Sequence, residues 1–411
     1  MNQECLIMRF LFVHQNFPAQ FGRLAAWLTQ MPQHQVVYLT RREDVEFAGI
    51  NKAIFKEHRS AAETTHAYLR PIEDAVLQGQ AAYRTAAALK QQGFVPDVIY
   101  SHSGFGAMYY LKDIFPSSAL VGFFEWYYHA RGADVDFDPS EKITEDDECR
   151  IRTRNMLVLP DLVSCDAGVT PTYWQHQQFP AEYSAKLQVI HDGIDVSYFA
   201  PAQEKDYELP TPKLDLSTMP EIVTYVSRGM ESMRGFPQFM EAMSKLMARR
   251  KRCHVVVVGS DRIAYAPSRT DGKGLKEIML NKFPFDMERI HFTGPLPYAE
   301  YKKVLLASTV HAYLTRPFVL SWSMLEAMSC ECALVASDTA PVREVIQHNE
   351  NGLLADFFDT DQLVDRTEEL LSDPALRSRL GANARSTILS RYDMQKTLPR
   401  HLQVLEAAAR R

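Results

Sequence analysis

Cysteine is scarce and scattered in this 411-residue chain: six residues, at positions 5, 149, 165, 253, 330 and 332. No pairs stand at zinc-ligand spacing, and Cys330-Glu-Cys332 alone is too little to hold a metal. Buried or unreactive thiols in a reducing cytoplasm are therefore expected. There is no run of about 18 apolar residues and no charged-then-apolar leader, so neither membrane spanning nor export is expected. Strong charge is missing too. A net charge of −6 argues against a dedicated nucleic-acid binder, although it leaves room for a local basic patch. Self-similarity at a solenoid period is also absent.

What remains is ordinary globular composition, 46% hydrophobic and 23% charged. The length exceeds one ordinary core and implies two domains of roughly 200 residues each. The pattern agrees. Apolar strands at Arg9–Val13, Val36–Leu39, Pro96–Tyr100, Ala119–Phe124 and Lys186–Ile190 alternate with helical stretches such as Gly22–Leu28 and Tyr83–Gln92. Pro201–Pro220, rich in proline and charge, reads as an interdomain linker. Alternation restarts with strands at Ile222–Val226, His254–Val258, Ile290–Phe292, Val310–Leu314 and Leu334–Ala336, and helices at Pro237–Arg249, Tyr298–Ala307 and Ser323–Met328. Arg377–Arg411 reads as helical with breaks near Gly381 and Pro399, and residues 1–7 as an extension before the first strand. The fold class is α/β: two Rossmann-like domains with parallel sheets facing a central cleft. The expected domains are residues 1–200 and 201–392, with a terminal helix over 393–411 packing back on the first.

In such sheets ligands sit outside the carboxyl ends of the strands. Arg228 follows a strand, and Arg234 comes six residues later. Two guanidinium groups at a strand end suit a diphosphate, since arginine grips phosphate oxygens through parallel N–H bonds; the plain alternative is two solvated loop arginines. Gly259 ends a strand and admits close backbone approach, or is an ordinary turn glycine. Gly294 ends another, within Phe292-Thr-Gly-Pro-Leu296, whose backbone suits a nucleobase edge. The strand at Val310–Leu314 leads through a short loop to a helix carrying Glu326 in its first turns. Helix-start amides and the helix dipole favour an anion there, and the carboxylate suits sugar hydroxyls.

In the first half, His14, Gly22, His102, Glu125 and His129 fall at strand ends or the loops after them. Glu125 is read as a polar group beside a sugar, or as a helix cap or partner of Arg131. For His14, loop hydrogen bonding and acceptor contact are both open. Asp134-Val-Asp-Phe-Asp138 is read as a loop or as an acceptor-side element, ahead of metal binding. Arg41-Arg42 with Lys52–Arg59 offers a weak basic surface to anionic lipid.

Taken in order, Arg228, Arg234, Gly259, Gly294 and Glu326, with Leu325-Glu-Ala-Met328 and Ser337–Glu344, resemble the nucleotide-binding half of a family 4 glycosyltransferase of the GT-B superfamily. Phe12–Pro18, Phe124–Tyr128, Gly168–Trp174 and Val189–Asp195 extend the resemblance over nearly the whole chain. It implies a retaining transferase, with no essential metal or cofactor, that uses a nucleoside-diphosphate sugar as co-substrate. Arg228 and Arg234 would hold the diphosphate, and Glu326 the ribose. The amides of Ser321, Trp322 and Ser323 would meet phosphate, and Gly294 and Leu296 would flank the base. Glu125, His102 and His129 would serve the sugar. The acceptor would be a glycan or lipid-linked glycan in polysaccharide assembly. The protein would lie in the cytoplasm, with peripheral contact at the inner membrane face. Two departures stand out. Phe318 occupies the place, eight residues before Glu326, where the family sets a sugar-reading glutamate. Glu125-Trp-Tyr-Tyr-His129 stands where many relatives have Thr-x-His. Arg316 beside Phe318 suggests an acidic sugar, or is a solvent-facing loop residue. A nucleotide-sugar 2-epimerase and a degenerate sugar-binding subunit are the rival readings.

Overall fold

The computed structural model describes residues 7–202, 207–262 and 274–410. The extension read at residues 1–7 falls outside them, Ile7 apart. The chain forms two compact units: one holds the residues up to Asp192 and those from Gln395, the other runs Gly193–Met394.

Among the described residues, the first unit carries a seven-stranded sheet: β1 (Arg9–Val13), β2 (Gln35–Thr40), β3 (Asn51–Ile54), β4 (Val98–His102), β5 (Ala119–Phe123), β6 (Ala167–Thr170) and β7 (Leu187–Val189). The order is β3-β2-β1-β4-β5-β6-β7, parallel throughout. β4, β5 and β6 are buried along their whole length, as strands covered on both faces must be. That double burial made β4 and β5 readable as continuous apolar runs, whereas the short, small-residue β6 was not read. β3 is half-exposed at the sheet edge and was not read. The helix Arg70–Gln91 starts well before the expected Tyr83, with a proline in its first turn and Glu73 near its positive end. The helix Met394–Ala409 buries Thr397, Leu398, His401, Val404, Leu405 and Ala408, one helical face. His401 takes a hydrogen bond from the Tyr100 hydroxyl at Nδ1 (3.1 Å) and donates from Nε2 to the His191 carbonyl (3.2 Å).

The second unit repeats the plan. Its strands are β8 (Glu208–Pro210), β9 (Lys213–Asp215), β10 (Glu221–Gly229), β11 (Cys253–Ser260), β12 (Ile290–Gly294), β13 (Val310–Tyr313), β14 (Leu334–Ser337) and β15 (Leu353–Ala355). Six of them form a parallel sheet in the order β12-β11-β10-β13-β14-β15. The chain reverses direction of build between β1 and β4 in one sheet, and between β10 and β13 in the other.

Three expectations need correction. The stretch read as a linker carries the antiparallel pair β8–β9, and Leu209 and Leu216 are buried against Ile222, Val256, Val258 and Val304. Its proline and charge hid two short strands. At the C-terminus, helix Pro374–Arg391 passes through Gly381, and the last helix passes through Pro399. The break falls instead at Tyr392–Asp393. There the Ile194 N–H donates to Tyr392 O (2.7 Å) and Met394 N–H to Ile194 O (3.0 Å), which takes the backbone out of helix. The basic surface does not form either, because each cation has an acidic partner: Arg41 with Glu57, Arg42 with Asp44, Lys52 with Glu46, Lys56 with Glu43 and Arg59 with Glu73. Such pairing leaves little positive potential to draw an anionic membrane. No described helix is long and apolar enough to cross one. Burial pushes the thiols of Cys165 up to about 11 and of Cys253 and Cys330 up to about 12, whereas Cys149 is exposed.

Gly381 gives a stability test. A β-carbon there would lie 2.3 Å from the Glu331 carbonyl oxygen. A helical Gly→Ala change ordinarily gains about 1 kcal/mol. Gly381→Ala should instead cost about 1–3 kcal/mol, as overpacking does, read as a lower urea midpoint; a raised midpoint would refute the close contact.

Candidate functional site

In the second unit the polar groups gather where β10 and β13 end. β10 loses register with β11 between Val226 and Gly229, and Arg228 stands exposed at this irregularity. Gly259, at the end of β11, has φ +137°, and a β-carbon would fall 1.9 Å from the Ser227 carbonyl oxygen. The close approach read there is thus made by the chain's own backbone. After a short turn comes Arg234, which is buried. Its Nη1 donates to Thr315 Oγ1 (2.8 Å) and Val319 O (2.8 Å) and lies 3.3 Å from the Tyr313 hydroxyl. The Phe318 ring lies 5.8 Å from its guanidinium carbon. Ser227, Arg228, Arg234, Tyr313, Leu314 and Ser321 line one small cavity. The two arginines are therefore brought to one place, but Arg234 is not a solvated loop residue. Arg316 is not solvent-facing either; it is buried, with its N–H on the Met233 carbonyl (3.0 Å).

Ser321 caps helix Trp322–Ser329 by accepting from the Ser323 N–H at 3.3 Å, and its own N–H donates to the Tyr313 hydroxyl at 2.8 Å. The amides of Ser321 and Ser323, both assigned to phosphate, thus already have partners, the second of them long and easily displaced. Glu326 is 2% exposed. Its Oε2 accepts from the Tyr301 hydroxyl at 2.8 Å and its Oε1 from the Tyr298 hydroxyl at 3.4 Å. Burial, then the Glu326 charge, holds the Tyr301 phenol well above its usual value, so that it stays a donor. Gly294 has φ +72° and open space where a side chain would project. Leu296 is partly buried, its side chain packed on the apolar clusters.

In the first unit, His14 follows β1 and His102 ends β4, with their rings 4.6 Å apart in a T-shaped contact. Burial, then His102, pushes His14 well below the usual histidine value. His14 Nδ1 accepts from the Asn16 N–H at 2.8 Å, so the loop takes one nitrogen. His102 donates from Nδ1 to the Ser103 carbonyl at 2.7 Å, and its Nε2 lies 3.3 Å from Glu125 Oε2. With Nδ1 already carrying hydrogen, a bond between Nε2 and the carboxylate requires one further proton shared by the pair. Glu125 is fixed elsewhere too: Oε1 accepts from Gln20 Nε2 (2.7 Å), and its backbone carbonyl accepts from Gln175 Nε2 (2.7 Å). The Arg131 pairing does not occur, since Arg131 bonds Glu148. His129 is not brought onto this pair by its ring bond, which runs from Nε2 to the Gln178 carbonyl at 2.7 Å. Gly22 serves packing, as a β-carbon would lie 2.4 Å from the Pro18 side chain. Within the aspartate loop, Asp136 accepts from the Gly132 N–H and Asp138 from Ser140. No group of three metal-binding side chains occurs among the described residues.

Sequence reasoning missed Gln20, Tyr298, Tyr301, Asp192 and Asp161. Asp161 is fully buried; its Oδ2 accepts from Ser103 Oγ (2.7 Å) and the Gly104 N–H (3.2 Å), so it fixes the loop next to His102. Burial pushes its carboxyl up to about 7. Asp192, also buried, is raised by burial, with His191 Nε2 at 3.6 Å from Oδ1. Gln20, Tyr298, Tyr301 and Asp161 carried no sequence signal, because each acquires its role from a partner distant in the chain.

Comparison with known proteins follows the two units. Residues 32–199 match the model described as glycosyl transferase family 4 group, and residues 208–387 match glycosyl transferases group 1. The alpha-D-kanosaminyltransferase of Streptomyces kanamyceticus is 25% identical over 228 residues, 53% of this chain and 52% of that one. A GDP-mannose-dependent monoacylated phosphatidylinositol monomannoside mannosyltransferase of Corynebacterium glutamicum is 24% identical over 229 residues, 54% of this chain and 56% of the relative. The chain thus spans about half the length of the curated relatives it matches. Sucrose-phosphate synthase from Thermosynechococcus elongatus superposes with TM-score 0.72 at 17% identity, covering 97% of this chain and 98% of that one. Anabaena HepE, solved with UDP-glucose, gives 0.70 at 14% identity, covering 97% and 100%. At these identities the structural likeness establishes the two-domain α/β fold.

Asp161 supplies a pH test. Its folded value of about 7 lies above the unfolded value, so the native state keeps a proton that the unfolded chain releases. The stability it contributes is present at low pH and is lost as pH rises from about 4 to about 7. Asp161→Asn does not titrate. The stability of this variant relative to wild type should rise between pH 5 and pH 7.5, by at most about 1.4 kcal/mol per pH unit. Urea unfolding at both pH values measures it, and a pH-independent difference would contradict the raised value.

Proposed function

The chain belongs to the glycosyltransferases, its first half to the family 4 group and its second to group 1, and on that premise we propose that it moves a sugar from a nucleoside-diphosphate sugar to a hydroxyl acceptor. Retention at the anomeric carbon and independence of metal are part of the same reading. The observation that carries it is the meeting of Arg228, Arg234 and the start of helix Trp322–Ser329 around one cavity, with Glu326 buried in the same helix.

The chemistry follows from charge. As the glycosidic bond breaks, negative charge accumulates on the departing diphosphate, and groups already oriented towards it lower the barrier most. Arg234 is held by three oxygen partners and cannot swing away. Arg228 is exposed and able to close on the ligand. The helix start adds its dipole, and the long Ser323–Ser321 bond gives way to a phosphate oxygen. Glu326, anchored by Tyr301, accepts from the ribose hydroxyls. In the first unit, Glu125 and His102 share a hydrogen-bonding edge suited to a sugar hydroxyl and to moving its proton. Phe318 offers no hydrogen bond, so recognition of the donor sugar on that side is apolar. The acceptor fits a glycan or lipid-linked glycan.

Arg228→Ala tests the reading without disturbing a buried residue. It should lower kcat/KM for the nucleotide sugar roughly 10- to 100-fold, the worth of a charged hydrogen bond. Near-normal turnover would remove Arg228 from the diphosphate site. Nucleoside-diphosphate release should also require an acceptor; conversion of the donor sugar without one would instead identify an epimerase.

A further inference from the structure

Tyr298 opens helix Tyr298–Ala307, four residues after Gly294, and its ring is 50% exposed. Its hydroxyl reaches Glu326 Oε1 at 3.4 Å, while the buried Tyr301, one turn later, takes Oε2 at 2.8 Å. The two phenols divide the carboxylate. Tyr301 fixes it from the protein side, and Tyr298 meets it from the solvent side. The Tyr298 ring is supported along its length: it lies 6.0 Å from Tyr301 at 78°, 5.8 Å from Phe199 at 59° and 6.4 Å from Tyr198 at 46°. It is therefore an exposed aromatic surface held in place at both ends, a state that is ordered before any ligand arrives.

We propose that Tyr298 is the stacking face for the nucleobase of the donor. The inference rests on Glu326 as the ribose carboxylate. A ribose whose hydroxyls bond Glu326 carries its base on the neighbouring carbon. The base then lies about one ring's breadth from the carboxylate, the same reach that separates the Tyr298 hydroxyl from the rest of its ring. The open space at Gly294 lies just before this helix. Stacking tolerates different bases because each has a π-face, so selection among bases falls to the backbone near Gly294 while Tyr298 supplies affinity. The ring is what this role requires, and the hydroxyl only orients it.

The test is calorimetric titration of the full chain with UDP, GDP and ADP, taking the tightest binder forward, and with inorganic pyrophosphate. Tyr298→Ala should weaken the nucleotide roughly 5- to 150-fold, Tyr298→Phe should bind within about threefold of wild type, and both should bind pyrophosphate as wild type does. Equal weakening by Phe and Ala would overturn stacking in favour of a hydroxyl acting through Glu326. Nucleotide binding unchanged in Tyr298→Ala but weakened in Glu326→Ala overturns the proposal and leaves the ribose assignment standing. Unchanged binding in Glu326→Ala overturns the ribose assignment and the inference built on it.

Discussion

The Arg234 guanidinium is the interaction on which the second unit turns. It starts from the turn after β10 and bonds Thr315 Oγ1 and Val319 O in the loop after β13. These are the two central strands of the sheet, and nothing in their own backbone pairing extends past Tyr225 and Ala312. A buried cation is costly to leave without partners, and breaking such an arrangement by removing one side costs several kcal/mol. The loop from Thr315 to Ser321 is thus held by a group that also suits the ligand's charge. Its position then fixes the Ser321 cap, through the Tyr313 hydroxyl shared between Arg234 and the Ser321 N–H. Stability and the proposed anion recognition use one side chain, so the loop is set in place whether or not a ligand is bound.

The first unit solves a similar problem with weaker charges. His14 and His102 face each other at the ends of β1 and β4, and burial keeps His14 neutral near pH 7. Asp161, whose carboxyl burial pushes up to about 7, holds Ser103 and Gly104. Ser103 in turn receives the Nδ1 proton of His102 and so dictates which nitrogen faces Glu125. The orientation of His102 therefore depends on a carboxyl group that touches neither His102 nor Glu125 through a hydrogen bond. A substitution there acts by displacing the loop.

Much of this was legible in the residues. Most of the buried strands were, because double-sided burial writes itself as short unbroken apolar runs; β6 and β15, only three or four residues long, and β3 and the β8–β9 pair, short and partly exposed, leave no such run. The arginine pair was legible as two cations after a strand, yet nothing in the sequence says that one is buried and the other exposed. That difference arises from Thr315 and Val319, more than 80 residues away. Gly259 and Gly22 show the converse. A glycine was necessary at both places, but the crowding atoms belong to Ser227 and Pro18. Residue type reveals that something comes close without revealing what. Glu326 stood out from its place in a helix start, while Tyr298 and Tyr301, which hold it, are ordinary aromatic residues until the fold brings them 2.8–3.4 Å from its oxygens.

The two units share a strand order, and that order explains where their polar groups fall. In each sheet the chain builds outward one way from β1 or β10, then returns to build the other way from β4 or β13. The connections leaving neighbouring strands at that point run to opposite faces, so no helix closes over the carboxyl ends and a crevice remains. A polar side chain buried at a strand end loses its water and needs partners in return. At the crevice it can find partners on the adjacent strand end, as His14 does with His102 and Arg234 does with Tyr313 and Thr315. Topology thus permits buried polar groups at these two places, and the residue types decide what each can bind. Imidazoles beside a carboxylate suit hydroxyls, and guanidinium groups beside a helix start suit phosphate. The division of labour between the units is chemical, imposed on a repeated frame.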